Sequence, residues 1–245
     1  INGSRRRADA WNSRYPHRLL DVSQCRIARA GPKSQLRTAR TWTMPLLTYA
    51  LLLLNALAFF LEMRHDVVVP SLFALWPVGA GFEPWQIVTG GFLHANLGHL
   101  LSNMFGLWMF GRGVEGELGT RRFAWIYACS LTTASLAQLV VSAVGHDLAP
   151  TLGASGAVFG VLGAYAVLFP QRRILLLLPP VVLPAWLFAG LYALFELFSG
   201  VFGFEAGIAH FSHLGGLAAG VLLARRWRRS GGLGARAPAV MLRLG

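Results

Sequence analysis

The chain has 245 residues, of which 55% are apolar and only 13% charged, and its formal net charge is +12. An ordinary water-soluble domain, with about a quarter of its residues charged, is excluded. The basic excess is segregated along the chain in the way that a membrane demands, so it gives no support to nucleic-acid binding.

Residues 1–43 carry no long apolar stretch and many basic residues, and the first methionine is Met44. They read as a disordered, basic cytoplasmic segment. An organellar presequence, or a stretch upstream of the true start, remains open as an alternative. No secretory signal peptide is evident.

Asp, Glu, Lys and Arg are absent from six windows: 41–61, 84–111, 123–146, 148–171, 174–195 and 206–224. A hydrocarbon core of about 30 Å needs roughly 20 residues of helix. The sequence therefore predicts an all-α, polytopic membrane protein with six spans over residues 44–227, followed by a basic cytoplasmic tail, 228–245. A shorter uncharged stretch, 67–82, contains Pro70, Pro77, Gly79 and Gly81. It reads as a loop at the membrane interface, a depth that suits Trp76 and Trp85.

Counted on alternate sides of six spans, 21 Lys and Arg fall on one side and Arg64 alone on the other. Both termini are therefore expected in the cytoplasm, with spans 2, 4 and 6 running from outside to inside. The basic tails could also touch anionic headgroups of the lipid bilayer. Cys25 in the cytoplasmic segment and Cys129 in span 3 are not placed to form a structural disulfide.

Polar side chains inside the windows concentrate in the outer halves of the even spans. Span 2 opens with His94, His99 and Asn103, span 4 with Ser155, and span 6 with His210 and His213. Residues a few positions in from each start share a depth, so Ser155, His213, His99 and Asn103 can converge. His99 and Asn103, four apart, share a helix face. Glycine stripes at Gly153, Gly156, Gly160 and Gly163 on span 4, and at Gly216 and Gly220 on span 6 below His213, would let the two backbones approach closely. Each polar residue also has a plain reading as interhelical packing or hydrogen bonding. Ionisable groups inside a membrane, however, default to a functional hypothesis.

The chemistry these groups permit is acyl transfer. Ser155 needs a base to become a nucleophile, and His213 is the candidate, later returning the proton to the leaving amine. No acidic residue lies in the outer half of spans 2, 4 or 6, so a Ser-His dyad is the economical reading, with Glu196 in span 5 as the nearest alternative helper. Oxyanion donors would come from the backbone at Ser155 and Ala154, at the positive start of span 4, and from the His99 and Asn103 side chains. A zinc site built on the histidines lacks an HExxH motif and a carboxylate base, and an aspartyl mechanism lacks its aspartates. No metal or other cofactor is called for. A transporter would more readily show internal repeats.

Together these residues resemble the rhomboid family of intramembrane serine proteases. GASG at 153–156 is similar to the family's GxSG nucleophile motif, HLLSN at 99–103 to its HxxxN, and HFSHLGGLAAG at 210–220 to the histidine segment of its last core helix. GVEGELG at 113–119 resembles the turn after the second helix, which implies a structural role for Glu115, and FEPWQIVTGGFLH at 82–94 resembles the interfacial first loop. The resemblance implies Ser155 as nucleophile, His213 as base and His99 with Asn103 as oxyanion donors; His94, Phe159, Gly153, Gly156 and Gly216 support the site. It also implies the substrates: single-span transmembrane proteins cut in or near the outer part of their helix, admitted laterally near span 5.

Two departures stand out. Many members have Trp-Arg where this chain has Trp85-Gln86, which removes a cation and is expected to loosen the loop. Phe159 replaces a tyrosine that commonly stacks on the base; its ring can still stack. Pro179, Pro180 and Pro184 are expected to deny span 5 a regular first turn and leave it the more mobile helix. Composition suits a bacterial inner membrane. The competing reading is a catalytically silent relative that binds transmembrane helices without cutting them. Oligomeric state is not legible.

Overall fold

A computed structural model describes residues 44–177, 180–203 and 209–230 of the chain. The expectations for residues 1–43, for Pro179 and for the tail beyond Ser230 lie outside these residues. The described chain is mostly helical. Helix α1 spans Leu46–Arg64, and a short helix α2, Val68–Phe73, leads through a loop to α3, Gln86–Thr89, and a 3-10 turn, Gly90–Phe92. Helix α4, Leu97–Gly106, continues through a π-helical segment, Leu107–Gly111, into α5, Arg112–Leu118, without leaving helical dihedrals. Then come α6, Thr120–Gly145, and α7, Ser155–Leu168. A hairpin of β1, Arg173–Leu177, and β2, Pro180–Pro184, precedes α8, Ala185–Phe202, and α9, His210–Arg229.

Three of these helices, α1, α6 and α8, are long and apolar enough to cross a membrane. The uncharged windows of spans 2, 4 and 5 overstate helix length because they run on into loops. Helix α7 has 14 residues, about 21 Å at 1.5 Å per residue, and the windows of spans 2 and 5 include the 3-10 turn and the hairpin. Span 5 is thus corrected from 174–195 to Ala185–Phe202. The reason is in the residues: a run rich in Ile, Leu and Val pairs Arg173 with Pro184 and Leu177 with Pro180, and proline suits the ends of a two-stranded edge. In the stretch read as a loop at 67–82, α2 forms despite Pro70. Pro70 is its third residue, where an amide has no intrahelical partner to lose.

The packing is that of a molecule solvated by lipid. Helix α7 is apolar all round and buried from Gly156 to Tyr165, which marks it as the central helix. The outer helices invert the soluble pattern. Leu53, Leu57 and Phe60 of α1 and Leu194, Phe198 and Phe202 of α8 are exposed, while Thr48, Asn55, Glu196 and Ser199 are buried. In water such an apolar exterior would drive aggregation; in hydrocarbon it costs nothing.

Close backbone approach holds α7 between α6 and α9. A Cβ on Gly216 or Gly220 of α9 would run into the carbonyl of Gly156 or Gly160 on α7, and one on Gly160 would meet Ser130 of α6. Gly153 does not belong to this stripe. It lies ahead of α7 with φ +134°, a conformation glycine adopts readily, and a Cβ there would strike the His99 ring.

Two anchors fix the elements around the site. Glu115, buried on α5, accepts from the Leu47 and Thr48 amides at 3.0 and 2.8 Å and from the Thr48 and Thr120 hydroxyls at 2.7 and 2.8 Å. It thereby caps the start of α1, satisfying donors that a helix leaves open. Gln86, 1% exposed, overturns the expectation of a loosened loop. Its amide oxygen accepts from the Trp76 and Glu83 amides, both at 3.1 Å, and its nitrogen donates to the Leu72 and Gly81 carbonyls, both at 3.3 Å. A neutral carboxamide offers both donors and acceptors, so it ties the loop without a cation.

Candidate active site

The nucleophile candidate is positioned by loops as much as by its helix. Ser155 is the first residue of α7, so its amide belongs to the turn whose N–H groups lack intrahelical partners and carry the positive end of the helix dipole. Ala154 precedes it, fully buried. The approach to α7 is clamped from outside the helix: Thr151 exchanges two 2.9 Å hydrogen bonds with Leu75, and the Gly153 amide donates to Gly90 O at 2.9 Å. The interfacial segment that Gln86 pins is therefore the segment that sets the entry to Ser155.

His213 lies in the first turn of α9, and its Nε2 stands 2.7 Å from Ser155 Oγ. The Phe159 ring, one turn beyond Ser155, stacks on the imidazole with centroids 4.4 Å apart and planes 4° from parallel. Stacking survives the missing hydroxyl because it needs only the ring face. The glycine contacts below, Gly216 on Gly156, set the helix spacing that this 2.7 Å link requires.

The His99 ring borders the same loop. A Cβ built on Gly153 would lie 2.7 Å from its Cε1, 2.9 Å from its Nε2 and 3.6 Å from Ser155 Oγ, so imidazole and hydroxyl flank Gly153. The His99 amide is held by the Asn96 side chain, the N-cap of α4, at 2.9 Å. Asn103, one turn further along, is buried, and its Nδ2 has no hydrogen-bond partner. Buried donors are nearly always paired in folded proteins, so a free amide there is a donor in reserve. His94 packs edge-on against His99 with centroids 5.2 Å apart. Its backbone amide donates to Glu62 Oε2 at 2.9 Å, a tie between α1 and the approach to α4 that sequence inspection missed.

His210 pairs with an acid on α8. Its Nδ1 lies 2.7 Å from Oε2 of Glu196 on α8, and the same oxygen is 3.0 Å from Nδ1 of His213, without the alignment of a straight hydrogen bond. The signal was in the sequence: two histidines at i and i+3 share a helix face, and Glu196 is an acid within an otherwise apolar helix.

Comparison with known proteins identifies the family of the chain. A family model described as the Rhomboid domain matches residues 81–230. The chain is 40% identical over 103 residues to "Rhomboid protein 1, mitochondrial" of Saccharomyces cerevisiae, covering 41% of this chain and 30% of that protein. It is 35% identical over 126 residues to rhomboid protease GluP of Bacillus subtilis, covering 49% and 24%. It is 30% identical over 200 residues to rhomboid protease GlpG of Yersinia pestis, covering 78% and 66%. The chain thus spans less than a third of the length of the first two relatives.

Proposed function

Because the chain belongs to the rhomboid family, we propose that it is an intramembrane serine endopeptidase, with Ser155 as nucleophile and His213 as general base. The observation that carries the reading is the 2.7 Å contact between Ser155 Oγ and His213 Nε2, made between two helices within an apolar bundle.

The steps follow from that contact. His213 takes the hydroxyl proton as Oγ attacks the scissile carbonyl, then delivers it to the departing amine. The oxyanion forms at the start of α7, where the Ser155 and Ala154 backbone, the His99 ring and the unpartnered Asn103 Nδ2 supply donors. Water, admitted from the outer side to the half-buried Ser155, then releases the acyl enzyme with His213 again as base.

In the membrane the protein is a six-span bundle over 44–227, formed by α1, the continuous α4 to α5 helix, α6, α7, α8 and α9, with both termini cytoplasmic. A bacterial inner membrane fits its composition. Its substrates are single-span membrane proteins, cut in or near the outer part of the helix where local unwinding exposes a carbonyl. The deciding experiment is cleavage of a model single-span substrate in liposomes by the wild type and by Ser155→Ala, with phosphonate labelling of the serine. Cleavage and labelling that vanish together in the variant support the reading. Substrate binding without cleavage or labelling by the wild type would replace it with the helix-binding alternative.

A further inference from the structure

We propose that Glu196, held in place by His210, is a positioning residue that fixes the tautomer and orientation of His213. The inference rests on the protease reading above and extends it from a pair to a relay across α8 and α9.

Glu196 is 3% exposed on an otherwise apolar helix, and a carboxylate in such a place persists only when paired. Its Oε2 meets two imidazoles through the same ring atom, Nδ1: that of His210 at 2.7 Å and that of His213 at 3.0 Å. His213 Nδ1 is buried and makes no aligned hydrogen bond, so this oxygen, 3.0 Å away, is the acceptor at hand.

An ionised carboxylate can only accept. Facing it, Nδ1 of His213 keeps its proton, which leaves the Nε2 lone pair directed at Ser155 Oγ, 2.7 Å away. The opposite tautomer would set two acceptors against each other at Nδ1 and would turn a proton toward the hydroxyl, where a base needs a lone pair. As the hydroxyl proton moves to Nε2, the imidazolium that forms lies beside a negative charge. His210 contributes the better-aligned bond, which holds the carboxylate between the two rings. His210 and His213 sit three residues apart on one face of α9, so a single acid on α8 reaches both.

A purely structural alternative exists, in which the Glu196–His210 bond merely ties α8 to α9. The test separates the two on full-length protein in lipid nanodiscs, using 15N-labelled histidine. The resonance of His213 is assigned by its loss in His213→Gln. Wild type is expected to hold His213 with Nδ1 protonated and Nε2 free. Glu196→Gln keeps an acceptor and removes the charge; Glu196→Met removes both. Turnover of a single-span substrate should fall about tenfold in the first and about a hundredfold in the second, with KM within about twofold. His213 in Glu196→Met should become a mixture of tautomers, and Glu196→Asp should recover part of the rate. An Nε2-protonated His213 in the wild type overturns the proposal whatever the variants do. So does an unchanged kcat, or a loss confined to KM, in folded Glu196→Met. The resting tautomer needs no turnover, so an inert wild type would sink the protease reading while the spectrum still judges the contact.

Discussion

Replacing Gly216 by alanine tests whether close approach of α7 and α9 positions the proposed catalytic pair. The added methyl would overlap the carbonyl and Cα of Gly156. Restoring an ordinary contact requires α9 to withdraw by more than about 1 Å, since backbone cannot rotate away as a side chain can. His213 is three residues earlier on the same helix, so the withdrawal acts directly on its 2.7 Å contact with Ser155. A displacement of that size costs about 100-fold in rate, equivalent to about 2.7 kcal/mol of transition-state stabilisation. Overpacking costs about 1–3 kcal/mol, of which up to about 1 kcal/mol is returned by the better helix propensity of alanine. The assays are the second-order rate of phosphonate labelling and thermal unfolding in detergent. Gly190→Ala on α8 is the control, because a Cβ there meets nothing within 4 Å; it should label at the wild-type rate. Gly216→Ala with wild-type labelling and stability would refute the reasoning.

Phe159→Ala removes the ring stacked on His213 and should slow labelling about tenfold, whereas Phe159→Tyr keeps the face and should stay within a few-fold of wild type. Glu115→Gln leaves one carboxamide oxygen to serve four donors. A loss of about 2–3 kcal/mol is expected in thermal unfolding, with faster amide exchange at residues 46–50. In hydrogen exchange α8 should open more readily than α7: few of its residues are buried, Ala185, Ala189, Glu196 and Ser199, against an unbroken run from Gly156 to Tyr165. Equal protection of the two helices would remove the reason to regard α8 as the mobile one.

Much of the bundle could be read from where charge is absent, because burying an ion in hydrocarbon is costly enough to police every helix. What that signal cannot give is where a helix starts. The windows of spans 4 and 5 look alike in composition, yet one opens with a loop held to Leu75 and Gly90 and the other with a hairpin. The first outcome depends on partners about 60 to 80 residues away in sequence, the second on a local pairing that the same lack of charge would equally allow to be helix. Gln86 makes the same point for a single residue. Seen alone it is an arginine lost; in place, its two-sided amide meets four backbone groups that only the folded loop brings together.

The candidate site divides along the same line. The candidates Ser155, His213, His99 and Asn103 could be drawn together in the sequence because helices expected to enter from one side place them at one depth by counting residues. Glu196 was harder to place because its helix runs the other way, so its depth must be counted back from the far end. From Phe202, the last residue of α8, Glu196 is six positions back, or about 9 Å at 1.5 Å per residue. His213 is three positions into α9 from His210, or about 4.5 Å. That difference is within the reach of a glutamate side chain meeting an imidazole when the two helices adjoin. An acid on an odd span, near its outer end, is therefore as natural a partner for the base as one on an even span. An inventory restricted to helices entering from outside excludes it by construction.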